Sequence, residues 1–167
     1  RLAPYIVFGT MVAAAAVIPS MGTGLPFRSA ADAIALVGLL AIARVFMSLA
    51  AMDIGTAFGT LGARRDMMIG FLAEPALLMV IFVASLISAT TALPLIAERL
   101  VVQPLALYPS LAFTAVAFTM VLLAENARIP VDNPATHLEL TMIHEAMLLE
   151  YSARHLALME WAAALKL

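Results

Sequence analysis

Long apolar runs separated by short polar connections are the main pattern of this sequence. Four runs come close to the roughly 20 apolar residues that a helix needs to cross a bilayer. They cover residues 4–21, 31–52, 68–92 and 107–124, and Pro4 suits the first turn of the first helix. A fifth helical pattern covers residues 137–165 and is more polar at its start. We therefore predict an all-α, polytopic transmembrane bundle of five helices, forming a single membrane domain.

The composition agrees with this prediction and excludes several kinds of function. Hydrophobic residues make up 64% of the chain and charged residues only 12%, whereas soluble domains contain roughly 45–50% and 25%. The formal net charge is -2 without a basic patch, so a nucleic acid is not expected as a partner. The 167 residues contain no cysteine, which excludes disulfides, thiolate metal sites, iron–sulfur clusters and thiol catalysis within them. Because the sequence opens at Arg1 and stops within a helical pattern, we expect it to be part of a longer protein.

The charges between the apolar runs fall into two groups, one for each side of the membrane. One group comprises Arg1, Asp53, Arg64, Arg65, Asp66, Glu125, Arg128 and Asp132, and the other comprises Arg28, Asp32, Glu98 and Arg99. The first group has more arginine near the helix ends, which predicts that it faces the cytoplasm from the cell inner membrane. Three glycines between residues 55 and 62 predict a flexible or closely packed turn before the third helix.

Arg44 lies near the middle of the second helix and needs a partner there. An arginine at that depth costs at least about 2.5 kcal/mol on insertion scales, so it should face protein or water. Asp53 follows nine residues later, on the opposite face of the same helix, so we expect acids on other helices instead. Glu74, directly before Pro75, is such an acid. It is interpreted either as a proton-exchanging group or as half of a static Arg–Glu pair.

The fifth helical pattern places titratable residues on two nearly opposite faces at ~100° per residue. One face carries His137, His144, Tyr151 and His155, and the other carries Glu139, Glu150 and Arg154. The apolar stripes between them are interrupted by Glu145 and Glu160. Such a helix should line an aqueous cavity or meet another subunit, and ordinary packing at a subunit interface is the alternative.

A metal site is not expected in this helix. The letters HEAML from His144 begin like the zinc-protease motif H-E-x-x-H but lack its second histidine. His144 and His155 are too far apart along a helix to bind one ion without outside ligands.

The letters RIPVDNP at residues 128–134 predict a folded loop rather than a flexible tether. The two prolines favour extended conformations in the residues before them, and Asp132 and Asn133 favour turns. Thr136 can cap the next helix with Glu139 as the capping partner. We therefore predict a charged cytoplasmic loop at 125–136 that suits a docking surface or a cavity wall, with a plain polar connection as the alternative.

The letters ENARIPVDNPATHLELTMIHEAMLLEYSARHLALMEWA from Glu125 onward resemble the membrane anchor subunits of group 4 nickel–iron hydrogenases, which include the formate hydrogenlyase type. More distantly, they resemble subunit 1 of respiratory complex I. The shared motif is E-x-x-R-x-P-x-D, followed by a helix with further glutamates and then E-Y. Its positions here are Glu125, Arg128, Pro130, Asp132, Glu139 and Glu150-Tyr151. Arg65 and Glu74 fit a weaker Arg–Glu spacing of that family. The resemblance covers essentially the whole sequence, with Ala153 standing where glycine is expected in many relatives.

This resemblance implies a non-catalytic subunit of an oxidoreductase complex. It implies no cofactor in this chain and nickel–iron and iron–sulfur centres in partner subunits. The expected partners are the hydrogenase large and small subunits, iron–sulfur subunits and antiporter-like membrane subunits. The chain would anchor the hydrophilic redox arm and couple electron transfer to proton or Na⁺ movement.

The same resemblance implies two groups of functional residues. The proton-pathway group contains Glu74, Glu139, Glu145 and Glu150 as titrating acids, His144 and Tyr151 as relays, and Arg44 and Arg65 as electrostatic tuners. The docking-loop group contains Glu125, Arg128, Asp132 and His137. Three other hypotheses remain open at this point: a complex I subunit shaping a quinone cavity, a stand-alone secondary transporter, and a structural anchor whose acids form static pairs.

Overall fold

The prediction of an all-α bundle is confirmed by a computed structural model that describes residues 2–18, 32–102, 109–126, 131–132, 143–149 and 151–166. Within these ranges the helices are α1 (Ala3–Val17), α2 (Ala33–Asp53), α3 (Ala57–Ser88), α4 (Leu93–Val102), α5 (Pro109–Glu125), α6 (His144–Leu148) and α7 (Ala153–Lys166). No strand occurs in the same ranges, and their extended pairing is limited to an isolated bridge between Asp32 and Ala92.

Helix α2 lies between α1 and α3, α7 packs on α1, and α5 and α6 pack on α3. Three apolar clusters join these helices. Met11 and Met159 belong to the cluster of α1, α2 and α7, and Ile143 belongs to that of α2, α3 and α6. Leu77 and Val121 belong to the cluster of α2, α3 and α5. Close van der Waals packing of this kind holds helices together in a bilayer.

The lengths and surfaces of the helices fit a membrane bundle. By length and composition, α2 and α3 are long and apolar enough to cross a membrane, and α1 and α5 are shorter apolar helices. Large side chains such as Phe71, Met79 and Phe113 remain exposed on the outside of the bundle. Exposed apolar area of this extent is unusual for a soluble monomer, and it is what lipid or a neighbouring membrane subunit covers.

Helix α3 begins at Ala57 rather than at residue 68. The turn predicted for the three glycines between residues 55 and 62 is therefore wrong from Ala57 onward, where the chain is helical. The Thr56 hydroxyl caps the helix by accepting from the Gly59 N–H at 3.3 Å. The predicted close packing is present, because a Cβ on Gly62 would lie 3.0 Å from the carbonyl oxygen of Ile143 in front of α6. With 32 residues, α3 is roughly 48 Å long and exceeds the hydrocarbon core of a bilayer.

The opposite end of α3 also differs from the prediction. The helix stops at Ser88 because Ala89 adopts a left-handed conformation with φ 50°, and the separate helix α4 follows. Asp32 caps α2 through the Ile34 N–H at 2.9 Å and accepts from the Thr91 hydroxyl at 3.3 Å. The start of α2 and the end of α3 therefore meet at one end of the bundle.

The fifth predicted helix is not continuous. Its described part consists of α6 and α7, with Tyr151 between them and a left-handed backbone at Ala153, where φ is 47°. A single helical wheel over residues 137–165 is therefore wrong, and His144 and His155 do not share a helix face. Residues 137–142 lie outside the described ranges. The positive φ supplies the physical reason for the break, because an L-residue in that conformation cannot continue a right-handed helix.

Replacing Ala153 with glycine should stabilise the fold by about 1 kcal/mol. The Cβ of an L-residue in the left-handed region costs roughly 1–2 kcal/mol, which glycine avoids. The midpoint of thermal unfolding of the detergent-purified protein should rise. Ala157→Gly in the middle of α7 is the matched control and should lower that midpoint, since glycine destabilises a helix interior. A similar decrease in both variants would contradict the left-handed conformation of Ala153.

Candidate functional site

Arg44 is the centre of a buried ionic cluster that joins three helices. Its Nη2 lies 2.8 Å from Oε1 of Glu125 on α5, and its Nη1 lies 3.7 Å from Oε1 of Glu74 on α3. Its Nε lies 3.9 Å from Oδ1 of Asp66 on α3, and its side chain is only 7% exposed. The expectation that acids on other helices, and not Asp53, would pair with Arg44 is confirmed.

The local sequence of α2 and α3 explains this geometry. Asp66, Gly70 and Glu74 recur every fourth residue and so lie on one face of α3. A Cβ on Gly70 would lie 2.7 Å from Nη1 and 2.8 Å from Cδ of Arg44, so glycine leaves the space that the guanidinium fills. Ser48, one turn after Arg44, donates to Oδ2 of Asp66 at 3.0 Å. Arg44 and Ser48 on α2 therefore face the row of Asp66, Gly70 and Glu74 on α3.

Lys166, at the end of α7, completes the cluster from the other side. Its Nζ lies 2.9 Å from Oε2 of Glu125 and donates to the Glu125 backbone carbonyl at 2.5 Å. That carbonyl is at the C-terminus of α5, where the last carbonyl groups lack partners within their own helix. Glu125 is only 4% exposed and lies between two cations. A carboxylate buried to this extent is stable only when it is paired in this way.

The cluster contains one more acidic than basic group. Three carboxylates (Asp66, Glu74 and Glu125) meet the two cations Arg44 and Lys166. Glu74 is the least closely held, because its side chain is 32% exposed and its 3.7 Å contact with Arg44 is longer than a hydrogen bond. Ionisable groups inside an apolar bundle are rare, and they commonly mark the paths of ions or protons.

Two of the predicted site residues lie elsewhere than expected. Arg65 is nine residues before Glu74 and therefore on the opposite face of α3, and it has no ion pair within the described ranges. Glu125 was assigned to the docking loop, but it is the last residue of α5 and is buried. Because Arg44 and Lys166 hold Glu125 inside the bundle, its carboxylate is not a docking surface.

Asp132, a second described residue of the docking loop, is fully buried. Its Oδ2 accepts from the backbone N–H groups of Ile143 at 3.0 Å and His144 at 3.1 Å. These two donors start α6, so Asp132 caps that helix and holds the loop to it. Arg128, His137, Glu139 and Glu150 lie outside the described residues, as does the side chain of Glu145.

The two predicted relays lie at opposite ends of α6, with His144 as its first residue and Tyr151 three residues after its last. His144 is half-buried at its start and interacts with neighbouring groups. Burial raises the pKa of Tyr151 above its usual value, and the negative charge of Asp53 raises that pKa further. The phenol is therefore neutral at physiological pH, and a neutral hydroxyl can still accept and donate a proton. Their roles as relays remain predictions.

Sequence reasoning missed four members of the cluster: Ser48, Asp66, Gly70 and Lys166. The spacing along the helices could have indicated the first three. Ser48 is one turn after Arg44 on α2, and Asp66 and Gly70 are two turns and one turn before Glu74 on α3. Lys166 had none, since its partner is 41 positions earlier in the chain. Among the residues that the structure describes, no group of three or more His, Cys, Asp or Glu side chains could hold a metal ion.

Apolar helices that surround a buried ionic cluster define the chain as a helical membrane protein. It belongs to the NADH dehydrogenase family, the family of complex I subunit 1, whose model matches residues 1–167.

Two relatives specify the resemblance further. The chain is 32% identical to formate hydrogenlyase subunit 4 of Escherichia coli (strain K12) over 166 residues, which are 99% of this chain and 53% of the relative. It is 34% identical to hydrogenase-4 component C of the same organism, over 99% of this chain and 51% of that relative. The chain thus spans about half the length of these relatives, and the resemblance inferred from Glu125 to Tyr151 is confirmed.

Replacing Gly70 with alanine should displace the Arg44 guanidinium and lower stability by about 1–3 kcal/mol, the usual effect of overpacking. The midpoint of thermal unfolding in detergent measures this loss. Gly38→Ala on α2 is the matched control, because nothing lies within 4 Å of a Cβ at that position. That control should be neutral or stabilising, since alanine favours helix more than glycine does. Equal midpoints for both variants would argue against the close contact.

Proposed function

We propose that the chain is the membrane-embedded subunit of a membrane-bound nickel–iron hydrogenase complex of the formate hydrogenlyase type. In this function it carries out no redox chemistry itself. It anchors the hydrophilic redox arm and couples electron transfer to the movement of protons or Na⁺. The ionic cluster around Arg44 is the observation that carries the proposal, because charges are retained inside an apolar bundle where ions or protons pass.

Similarity to two subunits named for formate hydrogenlyase and hydrogenase 4, over 99% of this chain, supports the hydrogenase assignment. The proposed partners are the hydrogenase large and small subunits, the iron–sulfur subunits and antiporter-like membrane subunits. The nickel–iron and iron–sulfur centres reside in those partners and none in this chain. The complex lies in the cell inner membrane with the charged loop facing the cytoplasm.

The described contacts support a route from the docking loop to the cluster. Asp132 holds the loop to α6, and α6 packs against Gly62 of α3. Helix α3 carries Asp66 and Glu74, which face Arg44. A displacement of the loop by the redox arm would therefore shift the carboxylates relative to the guanidinium. Glu139, Glu145 and Glu150, with His144 and Tyr151, extend this proton pathway towards the cytoplasm.

A second candidate is subunit 1 of an NADH:quinone oxidoreductase, and the family description NADH dehydrogenase favours it. In that complex the same charged segment would shape a quinone cavity. A stand-alone secondary transporter is a third candidate, which would need neither a redox arm nor an antiporter-like partner. These candidates differ in what binds the chain in the membrane.

Purification of the full-length subunit in a mild detergent should recover a nickel–iron large subunit and ferredoxin-like iron–sulfur subunits. Mass spectrometry identifies these proteins, and a metal analysis for nickel gives an independent readout. Recovery with NADH-binding and quinone-linked subunits would instead assign the chain to a complex I. Recovery of the subunit alone, under conditions that keep other membrane complexes intact, would refute the anchoring function.

Glu125→Gln and Glu74→Gln should each lower the number of protons moved per electron severalfold, because each removes an acid that faces Arg44. The assembled complex is placed in lipid vesicles, where a pH-sensitive dye and the rate of hydrogen formation from reduced methyl viologen are recorded together. Glu74→Gln should disturb the fold less than Glu125→Gln, because Asp66 and Glu125 still neutralise Arg44 in that variant. Glu98→Gln, at an exposed acid on α4, is the matched control and should leave the ratio unchanged. An unchanged ratio in all three variants would refute the coupling role.

A further inference from the structure

We infer that Lys166 is the positioning residue through which a displacement of the α6–α7 junction reaches the Arg44 cluster. This inference rests on the proposed coupling function and deepens it. It assigns the mechanical step to α7 and names the contact that this step breaks, namely the pair between the Lys166 ammonium and Glu125.

Helix α7 links the charged segment directly to the cluster. It begins at Ala153, two residues after Tyr151, and ends at Lys166. Its 14 residues span roughly 21 Å, so the helix reaches from the loop side of the bundle to the buried acids as one rigid element. A shift or rotation at the junction therefore moves Lys166 as well.

The contacts along α7 differ in kind from those along α2, which ion pairs tie to α3 and α5. Helix α7 packs on α1 through buried apolar side chains such as Met159 and through aromatic pairs, Tyr5 with His155 at 5.8 Å and Phe8 with Trp161 at 6.5 Å between ring centroids. Apolar and aromatic contacts of this kind have no fixed register of hydrogen bonds. The left-handed Ala153 also marks a change of backbone direction between α6 and α7.

The position of Lys166 depends on one residue. Within the described ranges, both of its polar contacts are made with Glu125, one with the carboxylate and one with the backbone carbonyl. Arg44, in contrast, is held by acids on two helices. When α7 moves, the contact that opens is therefore the one between Lys166 and Glu125, while Arg44 remains in place.

Opening that contact changes the charge balance of the cluster. With Lys166 withdrawn, three carboxylates face the single cation Arg44 in an apolar surrounding, where an unpaired charge is strongly disfavoured. A hydronium ion then donates a proton to a carboxylate oxygen, which leaves a water molecule and a neutral carboxyl group, and no electron is transferred in this step. When the ammonium returns to Glu125, the O–H bond breaks and the proton is released to water.

The first test compares charge variants of Lys166 in the assembled complex in lipid vesicles, with the ratio of protons to electrons as the readout. Lys166→Gln should lower the ratio severalfold, and Lys166→Arg, which keeps the positive charge, should restore most of it. Leu165→Gln is the matched control, because Leu165 is exposed beside Lys166 and lies outside the cluster. Hydrogen formation from reduced methyl viologen should be similar in all variants.

The outcomes separate this inference from the proposed function. Normal coupling in Lys166→Gln together with lost coupling in Glu125→Gln overturns the role of Lys166 and leaves the coupling function intact. Normal coupling in both variants overturns both proposals. Equal losses in Lys166→Gln and Lys166→Arg also overturn the inference, because a role that depends on charge requires rescue by arginine.

A second test needs no variant and covers the case in which Lys166→Gln fails to assemble. Hydrogen–deuterium exchange of the wild-type complex is measured with the redox arm oxidised and with the arm reduced by hydrogen. Backbone amides at the end of α7 and around Glu125 should exchange faster in one of the two states, while those around Arg44 on α2 should not change. Identical exchange in both states at the end of α7 would overturn the inference.

Discussion

The rest of this structure depends on the burial of one guanidinium group. An isolated Arg44 would be strongly destabilising in the middle of an apolar bundle, so the neighbouring helices must bring acids to it. Helix α3 supplies Asp66 and Glu74 and leaves a space at Gly70, and α5 supplies Glu125. The packing of α2 against α3 and the position where α5 ends are therefore consequences of the same electrostatic requirement.

A cluster of this kind combines a structural and a functional property. Its ion pairs lock four helices together, yet its surplus of one carboxylate means that full neutrality needs either another cation or a proton. Under the proposed coupling function, the subunit would respond to a partner through the geometry of these charged groups. Coulomb interactions in an apolar interior are strong and change steeply with distance, so the proposed coupling would need only small displacements of Lys166 or Glu74.

The relatives of the chain are subunits of larger complexes, which agrees with the proposed function. The chain matches the NADH dehydrogenase family over its whole length and two hydrogenase-related subunits over about half of theirs. The segment between Glu125 and Tyr151 contains the sequence motif that carries the resemblance. Its described parts connect the cluster, through Asp132 and α6, with the region proposed to meet the redox arm.

The sequence by itself determined the fold class, the family and the need for a partner to Arg44, because hydropathy, motif spacing and the energy of a buried charge are all local properties. It did not determine where α3 begins or that the last helix breaks at Ala153, since close packing on α6 and a left-handed backbone overrode the helical periodicity. Only the tertiary structure decided that Glu125 lies inside the bundle and that Lys166 reaches it. The physical reason is that an ion pair between helices far apart in the chain is set by how those helices pack, and no local pattern records it.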